Sequence, residues 1–433
     1  MGSFLGPVHV LDLARSSPDH KLLEAVSCAK INNSNSPIIV FLVRPGIHQK
    51  HKRKTSISTL EPNAGIFMNL VIECSRCGQP SENVLDFRCR SCGQSLEVRL
   101  QPNFDAKRIL AKKWNVGRYV KSFPYMEDFE EVTLGEGWTP LVRLNDNVYF
   151  KLESLNPTGS FKDRGSVALI SAVRRQVQKA GGYLSEDSSG NAGASVAAYA
   201  ARAGLKAKVY VPETVSGPKF SQIQFYGAEV VKVPGSRQKV AEEAQKPEPR
   251  KFYVGHILHP LFTDGIRSLA YEIAEQFEWK APERIYLPVS AGTLLLGVIN
   301  GFKHLLASNV IESMPKIVAC QTEQVSPLYR RFKKLVYKPP EKVTSVADAL
   351  VSVNPPLLDI MVKRLEEIAG DAIMVKEDEI LEAFHELAKK GFFVEPSSAV
   401  AYAAYKKSLS SEEARAKERT VIVLTGTGLK SMA

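Results

Sequence analysis

The sequence has few cysteines and no long apolar run. Its 433 residues include six cysteines and three tryptophans. So few cysteines do not form a disulfide framework in a chain of this length, which favours a reducing compartment. The longest apolar runs, such as IIVFLV at 38–43, are far shorter than the ~20 residues that a membrane-spanning helix requires. We therefore predict a cytoplasmic protein that is not embedded in a membrane.

The composition is that of an ordinary globular protein, with 44 % hydrophobic and 24 % charged residues. These values exclude a disordered, collagen-like or coiled-coil chain, and the length accommodates roughly three folding units. Lysine and arginine (57) outnumber aspartate and glutamate (46), and the resulting net charge of +11 is spread along the chain. This balance suits anionic ligands, among which phosphorylated metabolites fit as well as nucleic acids.

The first 67 residues differ from the rest of the chain. The basic segment HQKHKRK at 48–54 follows an apolar patch, and neither a helical nor a strand period persists. Asp12, Asp19 and Glu24 argue against a transit peptide, which is poor in acidic residues. We predict that residues 1–67 form a poorly structured extension. Because Met68 directly precedes the first motif, a start codon upstream of the native one is the alternative explanation.

Four of the six cysteines form two CxxC pairs, Cys74 with Cys77 and Cys89 with Cys92, separated by eleven residues. Each pair presents two thiolates to one ion, and the glycine that follows it lets the backbone fold back. Two such turns complete a tetrahedral site without an open position, which is structural rather than catalytic. We therefore predict a zinc ribbon at 68–100. Ribbons also bind nucleic acids or proteins, so its role stays open.

Beyond about residue 101, apolar β-branched segments alternate with helical stretches. Such alternation predicts a parallel, doubly wound α/β architecture, in which ligands gather at the carboxyl ends of the strands. The predicted strands cover residues 208–211, 230–233, 252–254, 284–289, 316–320 and 420–424.

The segment KLESLNPTGSFKDRG at 151–165 has the pattern of a strand, a turn and the start of a helix. Lys162 lies at the start of this helix, where the positive end of the helix dipole and the nearby Arg164 would favour its neutral amine. A neutral lysine can form a Schiff base. The position alone is weak evidence, because most lysines at helix starts are simply solvated.

Three further loops carry residues that could bind a ligand, and the last two of them follow predicted strands. SSGNAGAS at 188–195 combines hydroxyls, glycines and free backbone N–H groups at a helix N-terminus, which suits a substrate carboxylate. VSAGTL at 289–294 has the layout of a phosphate cup, although its glycine content is low. TGTGLK at 425–430 places hydroxyls at the carboxyl end of the last strand. Taken singly, each loop is also compatible with a plain or capped turn.

Together with GEGWTPL at 135–141, these four segments resemble, in their order along the chain, the pyridoxal-phosphate (PLP) enzymes of the tryptophan-synthase-β fold (fold type II), and threonine synthases in particular. The resemblance extends from about residue 68 to the C-terminus. Threonine dehydratases and cysteine synthases of this fold have other residues around their lysine. The resemblance implies a catalytic region at 101–433 made of two lobes with doubly wound parallel sheets, the smaller lobe at about 166–263, and the cofactor between them.

The resemblance also implies roles for individual residues. Lys162 would hold PLP as a Schiff base, and Asn191 would contact the phenolic oxygen of the cofactor. Thr425 would offer a hydroxyl to the pyridine nitrogen, which leaves that nitrogen essentially uncharged and suits elimination and replacement chemistry. The cofactor phosphate would bind to Ser290, Ala291, Gly292, Thr293 and Leu294, and the substrate to Ser160, Ser188, Ser189 and Asn191.

The implied reaction converts O-phospho-L-homoserine and water into L-threonine and phosphate. Lys162, displaced by the substrate, would remove the α proton and then a β proton, after which phosphate leaves from the γ carbon. Water then adds at the β carbon, and Lys162 re-forms its Schiff base as threonine departs. One lysine would thus serve as both carrier and base.

One position departs from this pattern. Several threonine synthases have an arginine in a segment like NPxRLEGQKT, which helps to hold the substrate phosphate. The matching segment here is HPLFTDGIRS at 259–268, with Phe262 where that arginine would lie. Either Arg267, Ser160 or Lys219 would bind the phosphate instead, or the substrate differs. A cysteate synthase acting on O-phosphoserine and sulfite, a diaminopropionate-type lyase and a threonine dehydratase therefore stay open, each with Lys162 in the same role.

The non-enzymatic alternative is a zinc-ribbon nucleic-acid-binding protein that uses the basic arm at 50–54. It explains the charge but not the four loops, and the aromatic residues are dispersed rather than clustered with basic ones. We therefore expect a phosphorylated amino acid as the partner, rather than a nucleic acid or a membrane. Families of this resemblance are commonly homodimeric, and we expect a homodimer.

Overall fold

The computed structural model describes residues 70–409 and 418–432, and these belong to one compact unit, Pro62–Ala433. The predicted extension at 1–67 lies outside the described residues. Within them the strands are β1 Val71–Cys74, β2 Pro80–Ser81, β3 Leu96–Arg99, β4 Leu141–Arg143, β5 Val148–Leu152, β6 Tyr183–Glu186, β7 Lys206–Pro212, β8 Glu229–Val233, β9 Lys251–Tyr253, β10 Arg284–Pro288, β11 Lys316–Thr322, β12 Asp371–Val375 and β13 Thr420–Leu424.

The helices alternate with these strands over most of the described chain. None of the described helices is long and apolar enough to cross a membrane. The α-helices are α1 Phe129–Val132, α2 Lys162–Lys179, α3 Asn191–Arg202, α4 Pro218–Phe225, α5 Arg237–Gln245, α6 Pro260–Ile266, α7 Ser268–Gln276, α8 Thr293–Ala307, α9 Pro327–Phe332, α10 Leu358–Glu367, α11 Glu377–Lys389 and α12 Pro396–Leu409.

The strands form three sheets. The largest has the order β12-β11-β10-β13-β5-β4, in which all neighbours are parallel except the edge strand β4. A four-stranded parallel sheet has the order β8-β7-β6-β9, and a small antiparallel sheet, β2-β1-β3, carries the paired cysteines. Every residue of β10 and β13 is buried, as expected for parallel strands covered on both faces. The predicted α/β architecture with two parallel sheets is confirmed.

Helix α2, which begins at Lys162, is fixed by close packing against α6. A Cβ on Gly265 would lie 2.4 Å from the Cβ of Ala168, and a Cβ on Gly165 would lie 2.5 Å from the ring of Phe262. Such distances leave no room for a side chain at either glycine. The two helices therefore approach more closely than larger residues would permit, and this approach sets the position of the first turn of α2.

A buried ion network fixes the same turn from the other side. Arg164 contacts Glu153, with Nε 2.7 Å from Oε2, and Glu272, with Nη1 2.9 Å from Oε2. Lys151 on β5 also contacts Glu272, and all four side chains have an exposed fraction of 0 %. Glu272 in addition accepts hydrogen bonds from the backbone N–H groups of Trp138 and Thr139, at 2.6 and 2.7 Å. The carboxylate of Glu272, on α7, thus joins three other elements: the GEGWTPL loop, α2 and β5.

We predict that Glu272→Ala lowers the free energy of unfolding by about 3–5 kcal/mol, because it leaves Arg164 and Lys151 buried with too little negative charge. Urea denaturation, followed by far-UV circular dichroism, measures the change. Glu382 in α11 is a matched control, since it is also a helical glutamate paired with a lysine but is 72 % exposed. Glu382→Ala should cost less than about 1 kcal/mol. Equal losses in both variants would contradict a dominant role for the buried network.

Candidate active site

A cavity of about 870 Å³ lies at the carboxyl ends of strands from both parallel sheets. The loop after β6, the loop after β10 and the residue after β13 all line it. Among the described residues, the predicted substrate ligand Ser160 does not line the cavity, and its buried Oγ has no hydrogen-bond partner. The other residues predicted for the cofactor and the substrate are brought together in this cavity: Lys162, Ser188, Ser189, Asn191, Ser290, Ala291, Gly292, Thr293, Leu294 and Thr425.

Lys162 is the first residue of α2 and is half-buried, because its side chain faces the cavity. Its Nζ lies 4.7 Å from the ring centroid of Phe161 and 5.8 Å from that of Phe262. Loss of hydration among these neighbours lowers the pKa of Lys162 to about 8, against the opposing influence of Glu186 and Glu395. At neutral pH roughly a tenth of the amine is therefore neutral, compared with well below a hundredth for an ordinary lysine.

The predicted activation of Lys162 rests on the helix dipole and on the charge of Arg164. In the structure, Arg164 forms ion pairs with Glu153 and Glu272. These two carboxylates, and not the amine of Lys162, are the groups that its charge faces. Burial is the largest cause of the lowered pKa of Lys162.

Asn191 is the first residue of α3 and is held from two sides. Its Nδ2 donates to the two carboxylate oxygens of Glu395, at 3.1 and 2.8 Å, and its Oδ1 accepts from Nζ of Lys430 at 2.9 Å. Glu395 also forms an ion pair with Lys219 at 2.8 Å. These contacts fix the orientation of the amide of Asn191, which lines the cavity.

The loop between β10 and α8 is the one predicted to bind a phosphate. Gly292 has a φ of +105°, a left-handed conformation that glycine adopts without strain. The loop leads directly into α8, whose first N–H groups have no partners within the helix and carry its positive dipole end. A strand, a tight left-handed turn and a helix N-terminus in succession form an arrangement that suits an anion.

Thr425 follows β13 directly and lines the cavity. Its Oγ1 shares a hydrogen bond of 2.9 Å with Oγ of Ser398, which fixes the hydroxyl at the end of the strand. Ser188 and Ser189 lie before α3, and Oγ of Ser188 accepts from the N–H of Gly190 at 3.3 Å. The cavity thus offers a reactive amine, an oriented amide, an anion cradle and a buried hydroxyl. This donor set fits PLP, whose aldehyde, phenolic oxygen, phosphate and ring nitrogen require those four kinds of group.

Several charged residues of the cavity have no predicted role. Lys430 is the last residue of TGTGLK, so its position in that segment could have indicated it, whereas Glu395 directly precedes α12 and lies outside the four loop segments. Arg267, by contrast, was suggested as a substrate ligand but does not line the cavity, because it is buried against Asp264 at 2.8 Å. Arg237, His256 and Asp348 also line the cavity without a predicted ligand role, and Lys219, suggested for the substrate phosphate, lines it as well.

The four predicted metal ligands form one cluster. Their Sγ atoms all lie within 4.8 Å of one another, with 3.4 Å between Cys74 and Cys92 and 3.7 Å between Cys77 and Cys89. Four sulfurs placed tetrahedrally at ~2.3 Å from one zinc ion would be about 3.8 Å apart, close to these distances. The glycine after each pair has a φ of +70° or +71° and donates its N–H to the carbonyl of the first cysteine. The cluster therefore has the geometry of a tetrahedral metal site.

The fold and the cavity define a PLP-dependent enzyme of fold type II. The chain belongs to the family described as pyridoxal-phosphate dependent enzyme, whose model matches residues 132–426. Within this family it is similar to threonine synthases. That of Methanocaldococcus jannaschii is 32 % identical over 382 residues, 82 % of this chain and 92 % of the relative. That of Methanosarcina acetivorans is 29 % identical over 376 residues, 83 % of this chain and 92 % of the relative.

Two solved structures share the fold. A PLP-dependent aspartate racemase, 26 % identical, has a TM-score of 0.54 and covers 65 % of this chain and 83 % of its own. Maize serine racemase, 21 % identical, has a TM-score of 0.57 and covers 71 % of this chain and 93 % of its own. The resemblance to PLP enzymes of this fold is thereby confirmed.

We predict that the PLP-free protein forms its Schiff base faster as the pH rises, with a half-maximal rate near pH 8. The neutral amine is the reactive form, and burial lowers the pKa of Lys162 to about 8, so the amine is mostly neutral above that pH. Stopped-flow absorbance after PLP addition measures the rate. Nα-acetyllysine amide, treated identically, should continue to accelerate up to about pH 10.4. A protein midpoint near that of the model amine would contradict the lowered pKa, and Lys162→Ala should give no Schiff-base absorbance.

Proposed function

We propose that this protein is a threonine synthase, which converts O-phospho-L-homoserine and water into L-threonine and phosphate. The observation that carries the proposal is the convergence of four loops, each similar to a threonine-synthase segment, on one cavity around Lys162. The extent of the similarity supports it, since the threonine synthase of M. jannaschii is covered over 92 % of its length.

In this proposal the residues of the cavity hold PLP. Lys162 binds its aldehyde carbon, Asn191 its phenolic oxygen and Thr425 its pyridine nitrogen, while the loop Ser290, Ala291, Gly292, Thr293 and Leu294 binds its phosphate. PLP supplies an electron sink that stabilises negative charge at the substrate carbons. All of these residues line the cavity, which supports a common ligand.

The side chains then orient the substrate and move its protons. Ser188, Ser189 and Asn191 at the start of α3 would bind the substrate carboxylate with hydroxyl, amide and backbone N–H groups. With its amine free, Nζ of Lys162 would remove the α proton, release that proton, and then remove a β proton, and phosphate would leave from the γ carbon. After water has added at the β carbon, the same Nζ returns protons to the γ and α carbons. A pKa near 8 suits a group that must both accept and donate protons near neutral pH.

We propose further that the cysteine cluster binds one zinc ion and serves a structural role. Four thiolate ligands leave no coordination position for a substrate, so the ion would stabilise the ribbon at 68–100 rather than take part in the reaction. The sulfur–sulfur distances support this assignment. The catalytic region at 101–433, the smaller lobe at about 166–263, a homodimer and a cytoplasmic location stay predictions.

We predict that the PLP-loaded protein releases phosphate from O-phospho-L-homoserine and forms threonine in equal amounts. A coupled phosphate assay and amino-acid chromatography measure the two products. Lys162→Ala should lose at least about 10³-fold in rate, because it removes both the Schiff-base amine and the base. Turnover of O-phosphoserine with sulfite, but not of O-phospho-L-homoserine, would contradict the proposed substrate and favour a cysteate synthase.

We predict that the purified protein contains one zinc ion per chain, and that Cys74→Ala removes most of it. Loss of one of four thiolates opens the site and weakens its hold on the ion. Elemental analysis measures the metal content. Cys320→Ala is the matched control, because this buried cysteine on β11 lies outside the cluster and its loss should leave the zinc in place. Equal zinc contents in the two variants, or a chain that holds no zinc, would contradict the assignment.

A further inference from the structure

The structure removes two candidates for binding the distal group of the substrate. Phe262 occupies the position at which several threonine synthases have an arginine, and it is fully buried against Gly165. Arg267 is buried as well, in contact with Asp264 and Tyr271. Neither side chain is available to a ligand in the cavity, so a phosphorylated substrate requires a cation from elsewhere.

Most of the cations that line the cavity are already engaged. Lys162 is the proposed cofactor ligand. Lys219 is held between Asp348, at 2.7 Å, and Glu395, at 2.8 Å. Lys430 donates to Asn191 and is only 8 % exposed.

Arg237 differs from these lysines. It is the first residue of α5, it lines the cavity, and its side chain is 50 % exposed. Its Nη2 lies 2.8 Å from Oδ2 of Asp187. A guanidinium has five N–H donors, and one such contact leaves several of them for a second anion. Arginine also matches the geometry of phosphate oxygens better than lysine does, because its donors form a planar fork.

Resting on the proposed function, we propose that Arg237 binds the distal phosphate of the substrate and so determines specificity for phosphorylated amino acids. In this proposal Arg237, on α5, binds the phosphate group that an arginine at position 262 would otherwise bind. Phe262 lies on α6, whereas Arg237 lies on α5, beside the four-stranded sheet. The substrate phosphate would therefore be bound on the side of this sheet and not by α6.

The surroundings of Arg237 hold it in place. Asp187 directly follows β6, and its Oδ1 accepts a hydrogen bond of 2.8 Å from the hydroxyl of Tyr253 on β9. Beside it, His256 and Glu186 are hydrogen-bonded at 2.7 Å. Burial raises the pKa of Glu186 and lowers that of His256, which disfavours the charged form of each group.

The test compares phosphate binding by the PLP-loaded wild type, Arg237→Gln and Arg237→Lys. The probes are O-phospho-L-homoserine, O-phospho-L-serine and inorganic phosphate, with dissociation constants from isothermal titration calorimetry. We expect Arg237→Gln to weaken binding of all three about 10- to 100-fold, because a charge-assisted hydrogen bond is lost, and Arg237→Lys to lie between. Binding of O-acetyl-L-homoserine, which has no phosphate, should be unchanged, as should the Schiff-base absorbance.

Arg175→Gln is the matched control. Arg175 is similarly exposed, at 64 %, and pairs at 2.7 Å with a buried aspartate, Asp128, but it does not line the cavity. Equal weakening in Arg175→Gln, or equal losses for the phosphate and acetate esters in Arg237→Gln, would overturn the proposal. If the wild type binds O-phospho-L-serine through Arg237 but does not turn over O-phospho-L-homoserine, the proposed function fails and the role of Arg237 stands.

Discussion

The buried ion pairs of Arg164 are the interaction on which the geometry of the cavity depends. Arg164 lies two residues after Lys162, and its partners Glu153 and Glu272 come from separate elements. Buried ion pairs add little net stability compared with a well-packed apolar core, but they tolerate few alternative arrangements because an unpaired charge is costly. The network thus serves mainly to specify one position for the first turn of α2. The arginine of the lysine motif has a structural role, and the amine beside it owes its low pKa to burial.

A second carboxylate organises the opposite side of the cavity. Glu395 contacts Asn191 and Lys219, and its charge partly offsets the effect of burial on the pKa of Lys162. The loop after β13 leaves it just enough space, because a Cβ on Gly426 would lie 2.1 Å from its Oε2. Gly426 is therefore needed for this carboxylate to approach. Two motifs that are more than 200 residues apart, at 191 and 395, become one unit in this way.

This separation explains what could and could not be predicted from the sequence. The parallel sheets were predictable, since strand and helix periods are local, and so was the cysteine cluster, whose spacing is itself the signal. The gathering of Lys162, Asn191 and Thr425 followed from motif order. The partners of these residues were not predictable, because an ion pair such as that of Arg237 with Asp187 depends on which loops meet in three dimensions. Burial is equally invisible in a sequence, which is why the largest cause of the low pKa of Lys162 was not predictable.

The ribbon contacts residues that support two sides of the cavity. Phe87, in the loop between the two cysteine pairs, packs edge-on against Tyr253, with ring centroids 4.6 Å apart, and Tyr253 in turn holds the aspartate that pairs with the cavity arginine. On the other side, Glu97 on β3 pairs with Arg364 on α10 at 2.8 Å. Met361 on that helix fills the space beside the glycine of the loop after β10. The ribbon thus contacts the supports of the proposed substrate-phosphate side and of the proposed cofactor-phosphate side. Since four thiolates on one ion would hold the two turns of the ribbon together, a structural metal would help to keep Phe87 and Glu97 in these contacts.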